Sequence, residues 1–158
     1  MVGVSAIRGR QEAGAAGIEF VLVFLVFFLL FYGMVSYGFF FMLQNSFIHA
    51  AEEGARAAIR VDPLSTDSCA DYKIAVEAVA KSTAVVALDW LPNGLQLQAL
   101  GTDNANIKPE FNCASKNLTV LIEYANYRTN PILPVLNFPG IGPIIPADLE
   151  GRAVLRLF

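Results

Sequence analysis

The stretch from Phe20 to Leu43 reads FVLVFLVFFLLFYGMVSYGFFFML, 24 residues broken only by Gly33, Ser36 and Gly38. No Asp, Glu, Lys, Arg or His occurs from Phe20 to Ile48. At about 1.5 Å per residue, a helix of this length spans roughly 36 Å. A bilayer's hydrocarbon core is about 30 Å thick, so the segment can cross it with some tilt. A helix apolar on every face needs lipid or a large protein around it. The 158-residue chain leaves too little after this run to wrap it. A cleaved secretory signal has an apolar stretch of only about 7–15 residues and then a small-residue cleavage site. Here the stretch is much longer, and Ile48-His49-Ala50 behind it makes a poor site.

The flanks orient the span. Arg8, Arg10 and the amino terminus precede it, offset by Glu12, while Glu52, Glu53, Arg56 and Arg60 follow it without net positive charge. Positive charge stays on the cytoplasmic side. The amino terminus is therefore expected inside, with the chain from about Gln44 onward outside.

Composition agrees with one span and one modest outer domain. Apolar residues make up 55% of the chain and charged ones 16%, against about a quarter charged in ordinary soluble domains. The net charge of −3 is mild, and no Lys/Arg run with interleaved aromatics is present, which argues against nucleic acid. Cys69 and Cys113 both fall on the outer side, where an oxidising compartment favours one disulfide closing a loop of about 45 residues. A metal pair is the alternative, but the single His is His49 at the membrane edge. No metal, cofactor or enzymatic activity is expected: neither a nucleophile–base pair nor a Gly-rich phosphate loop is visible. His49 and Trp90 read as an interfacial helix residue and a cap on the core.

The pattern predicts an α+β chain in three parts. Residues 1–14 form a short basic leader, read as disordered. Residues 15–60 hold one long helix, continuous from Ile18 to about Arg60 and ended by Asp62-Pro63. Residues 61–158 form the outer domain. It opens with a second helix from Asp71 to about Leu88, whose apolar face is Ile74, Val76, Val79, Ala80, Ala84 and Val86 or Ala87. Leu91-Pro92-Asn93-Gly94 then ends that helix as a turn. An antiparallel sheet of about three strands follows, at Gln96–Leu100, Asn117–Tyr127 and Arg152–Phe158. Between the last two, Asn130–Ala147 carries five prolines and reads as a long extended connection.

Two motifs sit on the long helix. Gly14-Ala15-Ala16-Gly17-Ile18-Glu19-Phe20 resembles the leader-cleavage motif of type IV pilins and pseudopilins, in which a basic leader ends in Gly and Glu stands fifth in the mature chain. Counting from Ala15, Glu19 is fifth, and Phe20 matches the aromatic that follows it in the Flp/Tad subgroup. Ala50-Ala51-Glu52-Glu53-Gly54-Ala55-Arg56-Ala57-Ala58 is similar to the segment beyond the membrane in TadE-like minor pseudopilins, where a Glu-Gly-Ala-Arg core recurs. The carboxyl-terminal strands and the Leu133-Pro134 connection resemble that family more loosely.

The resemblance implies a minor pseudopilin in assembly of a Flp/Tad-type pilus. A prepilin peptidase would cut between Gly14 and Ala15. Glu19 and Phe20 would dock the helix on a neighbouring subunit, although by position alone Glu19 could simply mark the interface. The implied partners are the peptidase, other major and minor pilins, the inner-membrane assembly platform and membrane lipid. The implied location is the bacterial inner membrane with a periplasmic outer domain, and possible entry into an extracellular pilus. Ala50, Gly54 and Ala58 recur at i, i+4 and i+8 beside Arg56. That stripe suits close helix approach, either to a neighbouring subunit or by packing on the chain's own sheet. The rival expectation is an unprocessed signal-anchored envelope protein with an outer binding domain.

Overall fold

A chain without proline before Pro63 can hold one helix a long way, and it does. In the computed structural model, which describes residues 8–65, 68–131 and 146–157, helix α1 runs Arg8–Ala57 and tightens into a 3-10 turn at Ala58–Arg60. Val61 then turns extended and Pro63–Ser65 forms a second 3-10 turn. The helix starts ten residues before Ile18, so Arg8–Gly14 is helical where a disordered leader was expected. Extending an existing helix costs little beside nucleating one, and Arg, Gln, Glu and Ala in this stretch favour it.

The chain divides into two units, Met1–Phe39 and Phe40–Phe158. In the first, every residue from Ala16 to Phe28 is exposed, and the helix is long and apolar enough to cross a membrane. Helix α2 spans Cys69–Ala87, α3 Asn93–Leu100, and the strands are β1 Ile107–Asn112, β2 Asn117–Tyr124 and β3 Leu149–Arg156. The sheet is antiparallel in the order β1-β2-β3.

The second unit is therefore α+β with three antiparallel strands, but one strand is not where the alternation placed it. Gln96–Leu100 lies in α3. The apparent period-2 pattern of Leu95, Leu97 and Ala99 is a short sample of a helical one. Leu91, Ala99 and Leu100 are buried while Leu97 is 63% exposed. Pro92, with no N–H to give, caps the helix by accepting bonds from Leu95 and Gln96. The strand that was missed, β1, contains Pro109. Its position explains why it is tolerated. The N–H of Phe111 points away from β2, to Glu77 Oε1 at 2.8 Å. Pro109 has the same parity, so its ring replaces an outward N–H and no ladder bond is lost.

Helix α2 starts two residues before Asp71. Ser68 caps it, accepting from the Asp71 N–H at 3.2 Å and donating to Asp71 Oδ2 at 2.6 Å. Its buried face is Tyr72, Val76, Ala80 and Ala84, continued by Leu88. Ile74 and Val86, assigned to the core from periodicity, are 68% and 73% exposed. An i, i+4 stripe centred on Ala80 leaves both on the opposite side. Trp90 is also half-exposed, and Leu88 and Leu91 fill the place proposed for it.

The sheet's inner face contributes Ile107, Phe111, Leu118, Val120, Ile122, Tyr124 and Leu149 to the core. Cys69 and Cys113 are disulfide-bonded, with Cα atoms 6.2 Å apart. The bridge ties the first residue of α2 to the residue after β1. Tyr72 and Phe111 meet edge to face beside it, with ring centroids 5.3 Å apart. Burial pushes the phenols of Tyr72, Tyr124 and Tyr127 above the usual range, with the Asp62 charge adding to the effect at Tyr72 and Tyr124 at Tyr127. Tyr124 donates its hydroxyl to the Asn130 carbonyl at 2.7 Å.

Candidate functional site

The residues singled out from the sequence separate into two groups with different surroundings. Gly14, Ala15, Glu19 and Phe20 lie on the first part of α1. Glu19 and Phe20 are exposed, Phe20 to 69%. Phe20 also begins a ladder that was not recognised in the sequence. Phe20, Phe24, Phe28 and Tyr32 stack along one ridge, with successive centroids 6.0, 6.2 and 6.2 Å apart. Their i, i+4 spacing is the signal that could have shown it. The acid at Glu19 thus stands at the foot of an exposed aromatic ridge.

Ala50, Gly54 and Ala58 belong to the second unit and are buried there, with Ala51, Ala55 and Ala57. At Gly54 the neighbour is the chain's own α2. A Cβ added at Gly54 would stand 2.7 Å from the Ala80 carbonyl oxygen and 3.3 Å from the Ala84 Cβ. At Gly54 the stripe therefore packs within the chain, against α2, where the sheet was expected. Arg56 points outward and pairs with Glu52 at 3.5 Å and Glu53 at 3.6 Å. These pairs are solvated and hold the helix surface only weakly. The Glu-Gly-Ala-Arg core is thus two-sided, with Gly54 and Ala55 inward and Glu53 and Arg56 outward.

A second close approach had gone unnoticed. Gly151, in the middle of β3, lies against the backbone of Phe47 and Ile48 on α1. An isolated Gly in an otherwise alternating strand is the signature of such an approach. Gln44, one turn earlier, donates to the Glu150 carbonyl at 2.7 Å. Phe40 meets Tyr127 with centroids 6.0 Å apart. Residues 40–57 of α1 are therefore seated on β3 at Gly151 and on α2 at Gly54. His49 lies exposed on this stretch. Among the described residues, no group of His, Cys, Asp and Glu could hold a metal ion.

The TadE-like protein family model matches residues 14–56. This segment is TadE-like. The TadE-like segment opens on Gly14, takes in Glu19, Phe20 and the whole apolar run, and closes on Arg56. It joins both motifs from which the resemblance was drawn. No curated protein and no solved structure gives a match to the chain.

Proposed function

We propose that this chain is a minor pseudopilin for assembly or initiation of a Flp/Tad-type pilus, cut by a prepilin peptidase between Gly14 and Ala15. The observation that carries the reading is the TadE-like match beginning at Gly14, on a helix that is exposed from Ala16 to Phe28. The major subunits of such systems are much shorter chains, which favours a minor role. The leader is residues 1–14, the assembly helix 15–60 with its membrane part near 20–43, and the outer domain 61–158. The amino terminus lies in the cytoplasm and the outer domain in the periplasm of a bacterial cell. The role is structural and not catalytic.

The physical steps follow from the residues. Gly14 has no Cβ to clash in an extended protease-bound backbone, and Gly14 and Gly17 weaken the helix where it must unwind for the cut. Cleavage creates an α-amino group at Ala15. A neighbouring subunit's Glu19 pairs with that amine at the dry edge of a helix bundle. Opposite charges attract strongly there, and either alone is costly. The aromatic ridge from Phe20 to Tyr32 gives the incoming helix a rigid apolar surface.

Amino-terminal sequencing of the protein from its native cell tests the cut. The mature chain is expected to begin at Ala15, and Gly14→Val to retain all of residues 1–14. Retention of the leader in the unaltered protein supports the signal-anchored alternative. Glu19→Gln tests the docking role separately. It is expected to leave cleavage intact and lower the pilus count about tenfold or more, the factor that roughly 1.4 kcal/mol of lost docking energy produces. Normal piliation in that variant removes the role given to Glu19.

A further inference from the structure

The two edges of the sheet are unlike. On β1 the outward positions are Ile107 at its start, then Pro109, which has no N–H, and Phe111, whose N–H is taken by Glu77. That edge offers little to another strand. On β3 the odd-numbered residues face β2: Leu155 and Ala153 sit opposite Leu118 and Val120, and the Leu157 N–H donates to the Lys116 carbonyl at 3.0 Å. The even-numbered backbone groups therefore point away from the sheet. The first of them, the Glu150 carbonyl, is closed by Gln44. Arg152 and Val154 come next. Their two N–H and two C=O groups make no hydrogen bond among the described residues.

The side chains beside this open edge have a definite character. Arg152 and Val154 are exposed on the sheet's outer face, Val154 to 56%. In the row Lys108–Leu121–Arg152, Lys108 is already paired with Glu123 at 2.8 Å. Arg152 makes no ion pair among the described residues. Residues directly opposite on paired strands interact, and like charges there are destabilising.

We propose that the Arg152–Val154 edge of β3 accepts an extended strand from a second protein, acidic where it faces Arg152 and apolar or β-branched where it faces Val154. Main-chain bonds supply the attachment and the two side chains supply the choice of partner. The asymmetry of the sheet limits addition to this side, and Gln44 marks where the added strand ends. If the chain builds a pilus, the second protein is a neighbouring subunit, and to that extent the proposal rests on the pseudopilin reading.

Two measurements test it. Hydrogen exchange on the full chain compares native membranes with the protein purified in detergent. The Arg152 and Val154 amides are expected to exchange at least about tenfold more slowly in the membranes, as a paired edge does. Equal rates overturn the proposal. Val154→Pro removes only an outward N–H, whereas Ala153→Pro removes a ladder donor facing Val120. The first is expected to keep leader cleavage and its melting temperature and to lose most pili, while Val154→Thr keeps them. Full piliation with Val154→Pro overturns the proposal. Full piliation in a strain lacking the chain overturns the pseudopilin reading instead, and the exchange comparison then still decides the edge.

Discussion

Gly151→Ala is expected to destabilise the outer domain by about 3 kcal/mol or more, the upper range for overpacking a filled core. An added Cβ would overlap the carbonyl carbon and oxygen of Phe47 and come within 2.6 Å of the Ile48 nitrogen. These are helix backbone atoms, held by their own hydrogen bonds, and cannot rotate away as a side-chain tip can. Relief requires α1 to lift from β3, and that loosens the burial of Phe47 and Leu43. For an outer domain of roughly 100 residues, each 1 kcal/mol lowers the melting temperature by about 4–8 °C. The melting of the full chain, followed by near-ultraviolet circular dichroism, should therefore fall by tens of degrees. Gly33→Ala is the control, since a Cβ there meets nothing within 4 Å. A Gly151→Ala protein that melts with the unaltered one would show that α1 is not seated on β3 as described.

Loss of the disulfide should have the next largest effect. Cys69 and Cys113 are 44 residues apart in sequence, and closing a loop of that size in the unfolded chain is worth about 4 kcal/mol on the entropic account. The bridge fastens α2 to β1 at the end where the helix begins. The Tyr72–Phe111 contact and the bond from the Phe111 N–H to Glu77 remain there without it. The Cys69→Ala/Cys113→Ala double variant should melt well below the unaltered protein, and reductant should lower the unaltered protein to match it. Equal melting with and without reductant would mean that the thiols are not joined in the cell.

Much of this architecture was legible because it depends on near neighbours in the chain. A 24-residue uncharged run needs no tertiary partner to be read as a membrane-length helix. The stop at Pro63 and the existence of α2 follow from local chemistry of the same kind. β2 was legible because Leu118, Val120, Ile122 and Tyr124 alternate without interruption. Gly14 and Glu19 were singled out by their order along the chain, and both fall within the TadE-like match over residues 14–56.

The remaining features are set by distant residues. Gln96–Leu100 is too short to tell a period of 2 from one of 3.6, and the core that buries Ala99 and Leu100 chooses the helix. Pro109 breaks a central strand but not an edge strand, and its place at the edge depends on how β2 pairs. Ile74 and Val86 fit an apolar face until α1 crosses α2 at Gly54 and sets which side is inward.

The run from Phe20 to Leu43 and the motif at its head were determined by the sequence alone, because composition and spacing act on a helix without help from elsewhere. Where that helix is seated in the outer domain was decided only by the tertiary structure. Gly54 and Gly151 are 97 residues apart in sequence, and each acquires its meaning only when a backbone from another part of the chain lies against it.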